Sequence, residues 1–190
     1  HGKFRRQRQM CIRDSPTAIL WDLDGTLIDQ TAAIIRCYRE VIVDMGYAQP
    51  NDDVIRRSLG GVMAATMGLF VESEHMDEAC KAFRKRFPEI MFDGLILLAG
   101  GIELIERVYK ARIPQVIFTN KHGDTARKVS RYGGFAKYIP ICIGGADTQW
   151  HKPQLALTQH VLDQIEVSAK GSIIIGDSPT DIAVAQNAGL

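Results

Sequence analysis

Two aspartates one residue apart, Asp22 and Asp24, open the segment Trp21-Asp22-Leu23-Asp24-Gly25-Thr26-Leu27-Ile28-Asp29. A carboxylate attacks phosphorus poorly unless a metal ion and fixed cations cancel the repulsion between two anions. Two acids at i and i+2 can then divide the work, one as nucleophile and one as proton donor and acceptor. Gly25 permits a close turn after them, and Thr26 can bond the loop. Read without chemistry, the same residues make a polar Asp-Gly turn. Three further segments carry matching residue types. In Phe118-Thr119-Asn120-Lys121, a hydroxyl and the backbone N–H after it can hold a phosphoryl oxygen, although a Thr there also serves as a helix N-cap. Lys152-Pro153 supplies a cation against the crowding of carboxylates and phosphate. Gly176-Asp177-Ser178-Pro179-Thr180-Asp181 brings two more carboxylates, and also reads as a helix start with a capping residue and Pro in the first turn.

The elements that must position these residues follow from the apolar pattern. Thr17 to Trp21 is a short apolar run after Pro16 and reads as a buried strand opening into the Asp22 loop. Ile34, Tyr38, Val41, Ile42 and Met45 recur at helical spacing, and Gly46 and Pro50 end the run. Residues 51–93 stay helical, with a Gly60-Gly61 break. From Gly100 the texture alternates. A helix through Ile102, Ile105, Val108 and Tyr109 precedes a strand over Ile113–Phe118, and a helix over Ala126–Tyr132 precedes a strand over Tyr138–Ile143. A helix from about Pro153 to Ile165, a strand over Ser172–Ile175 and a helix over Thr180–Ala188 complete the series. Repeated βα units predict an α/β fold, a doubly wound parallel sheet with its ligand at the carboxyl ends of the strands. Residues 16–30 and 97–190 then form the core, and 31–96 a helical insertion that reads as a cap.

With all four segments in view, the chain resembles the haloacid dehalogenase superfamily. Asp22-Leu23-Asp24-Gly25-Thr26-Leu27-Ile28-Asp29 is similar to its first motif, Thr119 to its second, Lys152 to its third and Gly176-Asp177-Ser178 with Asp181 to its fourth, in the family's order. The resemblance implies a Rossmann-like core with an α-helical cap, and a Mg2+-dependent phosphatase acting on a small phosphorylated metabolite. It implies Asp22 as nucleophile forming an aspartyl-phosphate, Asp24 as acid and base, and Lys152 spanning nucleophile and phosphate. Thr119 and Asn120 would bind the phosphoryl group. Mg2+ would be held by Asp22, the backbone carbonyl of Asp24 and Asp177, with Asp181 supporting from behind these ligands or through water. Arg56, Arg57 and Gly60 stand where the family's cap loop reaches into the site, and an arginine there can pair with a substrate carboxylate, as in relatives similar to phosphoglycolate phosphatase. Two departures stand out. Gln154-Leu155 occupies the place of the family's usual Asp-Pro, and the resemblance implies a further strand after the last helix, so the chain reads as C-terminally truncated.

Composition narrows the classes. Of 23 Lys and Arg, five fall in residues 1–15 with a single acid, which leaves 18 bases against 21 acids and a net charge of −3 beyond them. Such a body offers no basic face for nucleic acid. Arg5-Arg6-Gln7-Arg8-Gln9-Met10-Cys11-Ile12-Arg13-Asp14-Ser15 is similar to translated adapter read-through, so residues 1–15 are expected to be a non-native or disordered tail. No apolar run reaches the length of a membrane span, and a cytoplasmic protein is expected. Cys11, Cys37, Cys80 and Cys142 stand far apart with no CxxC pair, so they read as reduced and structural. A phosphomutase would use the same acids, and a non-enzymatic phospho-accepting or phosphate-binding module is the reading from another class. Composition does not determine the oligomeric state.

Overall fold

The computed structural model describes residues 15–190. The expectation for the basic tail therefore falls, apart from Ser15, outside the described residues. Four parallel strands, β1 (Ile19–Trp21), β4 (Gln115–His122), β5 (Cys142–Gly145) and β6 (Ile173–Ile175), lie in the order β5-β4-β1-β6. Ile19, Leu20 and Trp21 pair with Gln115, Val116 and Ile117 on one side and with Ile173, Ile174 and Ile175 on the other. β1 is thus central, and its three residues are buried. A strand covered on both faces is expected to be continuously apolar.

The alternation of side chains sorts the core into two clusters. Ile19, Trp21 and Ile117 point to one face, where Ile105 and Val108 of α5 (Gly101–Lys110) and Ala126 and Val129 of α6 (Gly123–Tyr132) cover them. Leu20, Val116 and Phe118 point to the other face. They meet Leu157, Val161 and Leu162 of α7 (Leu155–Gln164) and Val184 of α8 (Pro179–Ala188). The sheet is therefore wound on both faces, as expected from the βα repeats. Trp21 brings a polar atom into this core, and its indole N–H donates to Gln115 Oε1 at 3.0 Å while Gln115 Nε2 donates to the Ile105 carbonyl at 3.2 Å. A buried donor left without such a partner would cost about 1–3 kcal/mol.

Between β1 and α5 stand four helices, α1 (Thr31–Asp44), α2 (Asp52–Ser58), α3 (Met63–Met67) and α4 (Met76–Ile90). Tyr38 of α1 packs on Phe83 of α4 with ring centroids 4.5 Å apart, and Phe83 stacks on Phe87 at 5.4 Å. The apolar cluster of this block is continuous with one face of the sheet, since Ile35, Ile42, Phe83 and Met91 belong to the same buried set as Trp21 and Ile117. Two short strands bracket the block. β2 (Ile28–Asp29) and β3 (Ile96–Leu97) pair antiparallel, Ile28 with Leu97 and Asp29 with Ile96. The sequence gives no sign of them, because two residues are too few for any period.

Two strands depart furthest from their sequence bounds. β4 runs on to His122 where Phe118 was expected to close it, so Thr119, Asn120 and Lys121 lie within the strand. β5 starts at Cys142 rather than Tyr138, because Phe135–Lys137 forms a 3-10 turn first. Among the described residues no helix is long and apolar enough to cross a membrane. Cys37, Cys80 and Cys142 are free and buried, as their spacing suggested, and Cys11 lies outside the described residues.

Candidate active site

At the carboxyl end of β1 the chain turns sharply. Leu27 and Ile28 N–H groups both donate to the Leu23 carbonyl, and Gly25 N–H donates to the Ile28 carbonyl at 2.7 Å. Gly25 sits at φ +83°, and a methyl group there would lie 2.1 Å from Asp177 Oδ2. Glycine is required at this point for conformation and for space, and its absent side chain is what lets the β6 loop approach the β1 loop. Gly176 plays the corresponding part beside Asp181, whose Cγ would stand 2.2 Å from an added Cβ. The Asp22 N–H donates to the Ile175 carbonyl at 2.8 Å and ties the two strand ends together.

These turns bring Asp22, Asp177 and Asp181 into one group whose carboxylate oxygens lie within 4.8 Å of one another. Lys152 enters it from the loop after β5. Its Nζ donates to Asp22 Oδ1 and to Asp181 Oδ1, each at 2.7 Å, and its side chain is almost wholly buried. Asp181 has further partners. Ser178 hydroxyl and N–H donate to its Oδ2 at 2.6 and 3.1 Å, forming a capping box at the start of α8. The sequence allowed the Asp177–Asp181 segment to be a capped helix start and an acidic site, and the geometry combines them. Thr26 Oγ1 donates to Asp177 Oδ1 at 3.4 Å.

The charges respond to this crowding. Burial pushes the Asp22 carboxyl up to about 6, against the pull of Lys152, and Asp181 and Asp24 push it the same way as burial. Asp181 goes the other way. Burial, the largest single influence, raises it, but Lys152 and the two Ser178 donors together hold it below the ordinary carboxylate range. Asp22 thus stays short of positive charge despite Lys152, and three grouped carboxylates that offer only oxygen donors fit Mg2+.

The remaining expected residues divide. Thr119 is buried and lines the same cavity as Asp22 and Asp177, and its Oγ1 accepts from Lys121 N–H at 3.2 Å, which leaves its own hydrogen to donate. The Asn120 side chain is occupied by the protein. Its Oδ1 accepts from Lys152 N–H at 2.9 Å, and its amide donates to the Lys152 carbonyl at 3.3 Å and to the Gly60 carbonyl at 3.5 Å. Any hold of Asn120 on a phosphoryl oxygen therefore rests on its backbone N–H. Gly60, at φ +94°, comes against Ser178, so the break in the helical block does reach the strand ends. Arg56 and Arg57 separate. Both lie at the end of α2, but only Arg56 lines the cavity of about 740 Å³ between the block and the sheet, and it is paired with Asp53 at 2.6 Å. Arg57 is exposed and does not line it. Gln154, which departs from the family pattern, accepts from His151 N–H through Oε1 at 2.9 Å and so closes the loop beside Lys152.

Asp24 stands apart from the three-carboxylate group. Lys121 Nζ donates to both of its carboxylate oxygens at 3.1 Å. Lys121 was legible only as the tail of the Thr119 segment, since no spacing reveals a contact between positions 24 and 121.

The profile of the haloacid dehalogenase-like hydrolases matches residues 19–190, which is nearly all of the described chain. The chain belongs to this family. Among curated members it is similar to the phosphoglycolate phosphatase of Rhodobacter capsulatus, 30% identical over 180 residues that cover 91% of this chain and 81% of that one. It is also similar to the phosphoglycolate phosphatase of Rhodospirillum rubrum, 28% identical over 187 residues, 92% of this chain and 77% of the relative. Among solved structures, a haloacid dehalogenase-like hydrolase from Bacteroides fragilis superposes with a TM-score of 0.86 at 24% identity, covering 93% of this chain and 85% of that one. That last likeness bears on the fold alone. Membership and the enzymatic relatives make the chain a phosphatase of this family and leave the non-enzymatic module without support.

Proposed function

We propose that the protein hydrolyses the phosphate monoester of a small metabolite in two steps through an aspartyl-phosphate on Asp22, with Mg2+ as cofactor. The observation that carries this reading is Lys152 Nζ at 2.7 Å from both Asp22 and Asp181, a fixed cation at the nucleophile where a dianion must approach. In the first step an Asp22 oxygen attacks phosphorus and the ester P–O bond breaks, with the proton for the leaving oxygen coming from Asp24. In the second, water attacks the acyl phosphate, Asp24 takes its proton, and phosphate leaves with Asp22 restored. Thr119 Oγ1 and the backbone N–H after it donate to a phosphoryl oxygen, as preorganised donors do where charge builds up. Asp22, the Asp24 carbonyl and Asp177 would hold Mg2+, with Asp181 in support. The ion would neutralise charge on the transferring group.

The same reading makes residues 31–96 a cap over the strand ends, with Gly60 against Ser178 and Arg56 facing the enclosed space. The sequence relatives named for phosphoglycolate, a small ester with a carboxylate beside its phosphate, favour a small anionic substrate, with Arg56 as the cap residue placed to meet that carboxylate. A phosphomutase would need the same acids, and no observed residue favours it over hydrolysis. Release of inorganic phosphate from p-nitrophenyl phosphate should require Mg2+, stop on chelation, and be abolished by Asp22→Asn. Turnover that survives either treatment contradicts the proposal.

A further inference from the structure

Lys121 has no role in the reaction as written above, yet three contacts converge on it. Its Nζ donates to Asp24 Oδ1 and Oδ2, both at 3.1 Å. The same Nζ lies over the ring of Phe87, 4.8 Å from its centroid. Its backbone N–H donates to Thr119 Oγ1 at 3.2 Å. The Lys121 side chain is only 7% exposed, whereas the Asp24 side chain it grips is 31% exposed. Lysine is a flexible cation that normally keeps its ammonium in water, so holding one in this place takes a defined partner on each side. The carboxylate on one side and the aromatic face on the other are such partners. Phe87 belongs to α4 of the helical block and Asp24 to the loop after β1, so Lys121 joins the two parts of the molecule at the reacting end.

We infer that Lys121 is a positioning residue: held in place by Phe87, it fixes the Asp24 carboxyl group for proton transfer when the helical block lies over the strand ends. Two bonds from one ammonium remove the rotation that a half-exposed carboxylate would otherwise have. A proton donor or acceptor must stand within hydrogen-bond reach of the oxygen it serves, and a small misplacement of such a group is costly to rate. The ring of Phe87 restrains the ammonium from the cap side, so the aim of Asp24 depends on where α4 lies. The inference rests on the acid–base assignment of Asp24 and adds the group that makes it effective.

The experiment compares two aryl esters of similar size whose leaving groups differ, p-nitrophenyl phosphate and phenyl phosphate, in four Mg2+-loaded proteins. These are the parent, Lys121→Met, Asp24→Asn and the double variant, each measured in the first, phosphoryl-transfer turnover. The poor leaving group needs the acid and the good one does not. Lys121→Met should slow phenyl phosphate by about 10²-fold, the lower end of what a proton-transfer group contributes, and change p-nitrophenyl phosphate little. In the Asp24→Asn background the same substitution should cost nothing further, since groups that act as a unit are not additive. Lys121→Arg, which keeps the charge, should restore part of the phenyl phosphate rate. Should Lys121→Met lose cooperative unfolding, Lys121→Gln keeps most of the stem beneath Phe87 and carries the comparison. Equal losses on both esters, or an undiminished loss in the Asp24→Asn background, would overturn the inference while leaving Asp24 as acid and base. If Asp24→Asn itself spares phenyl phosphate, the acid–base assignment fails and the inference with it.

Discussion

A methyl group at Gly25 would stand 2.1 Å from Asp177 Oδ2 on a backbone already at φ +83°, and one at Gly176 would stand 2.2 Å from Asp181 Cγ. Gly25→Ala should therefore force the β1 and β6 loops apart and weaken Mg2+ binding along with turnover, as isothermal titration of the metal alone would register. Retained metal affinity in a folded Gly25→Ala protein would show that the two loops need not meet. Lys152 presents the complementary case of a charge inserted between two buried acids. Removing one partner of a buried ionic group typically costs about 3–5 kcal/mol because the others are left uncompensated. Lys152→Met should thus lose stability of this order as well as activity, with Mg2+ restoring part of the stability but none of the turnover.

The raised Asp22 carboxyl adds a pH dependence with a definite sign. Its folded value of about 6 lies above its ordinary 3.8, so the group favours the fold while protonated and that contribution is lost as pH rises from about 4 through 6. In chemical unfolding without divalent cations, the part of the stability that depends on Asp22, read as the difference between wild type and Asp22→Asn, should fall over that window. A wild-type profile unchanged by Asp22→Asn would mean that Asp22 is not strained by burial.

At the scale of elements, the capping box of α8 does two things at once. Ser178 closes the helix start and also holds Asp181 Oδ2, whose other oxygen meets Lys152. Ser178→Ala should cost about 1 kcal/mol in denaturant unfolding, the usual worth of a cap, and lower turnover as well. An effect on stability with none on turnover would separate the cap from the site. The elements also show how much could be read from residues alone. The helices α1, α5, α6, α7 and α8 announce themselves through apolar spacing and end signals, and β1 and β6 are short uninterrupted apolar runs, since parallel strands are covered on both faces. The four chemical segments were therefore assigned to the correct edge of the sheet. The pairing of β2 with β3 was illegible, since it depends on a meeting of residues 28–29 with 96–97. The extension of β4 through Lys121 was hidden for a related reason: Thr119, Asn120 and Lys121 are polar residues in a strand that ends at a site, where the usual apolar signal stops. The occupation of the Asn120 side chain by Lys152 and Gly60, and the parting of Arg56 from Arg57, are likewise facts of tertiary contact.

For the molecule as a whole, the helical block and the sheet share one apolar cluster and enclose the cavity between them. Substrate choice should therefore be decided by residues of the block that face this space. Arg56→Ala should raise KM for phosphoglycolate more than for p-nitrophenyl phosphate, while Arg57→Ala, whose side chain does not line the cavity, should change neither. Equal effects of Arg56→Ala on both esters would remove its part in specificity. The two-step chemistry itself rests on the division of labour between Asp22 and Asp24, which a single measurement addresses most directly. In Asp24→Asn a substrate with a good leaving group can still phosphorylate Asp22, but hydrolysis of the intermediate lacks its base and should slow by roughly 10²- to 10⁴-fold. Mass spectrometry of the Asp24→Asn protein after mixing with p-nitrophenyl phosphate and Mg2+ should find one added phosphoryl group, located on Asp22 by peptide mapping. Steady-state turnover undiminished in that variant, or a phosphoryl group on any other residue, would contradict the account.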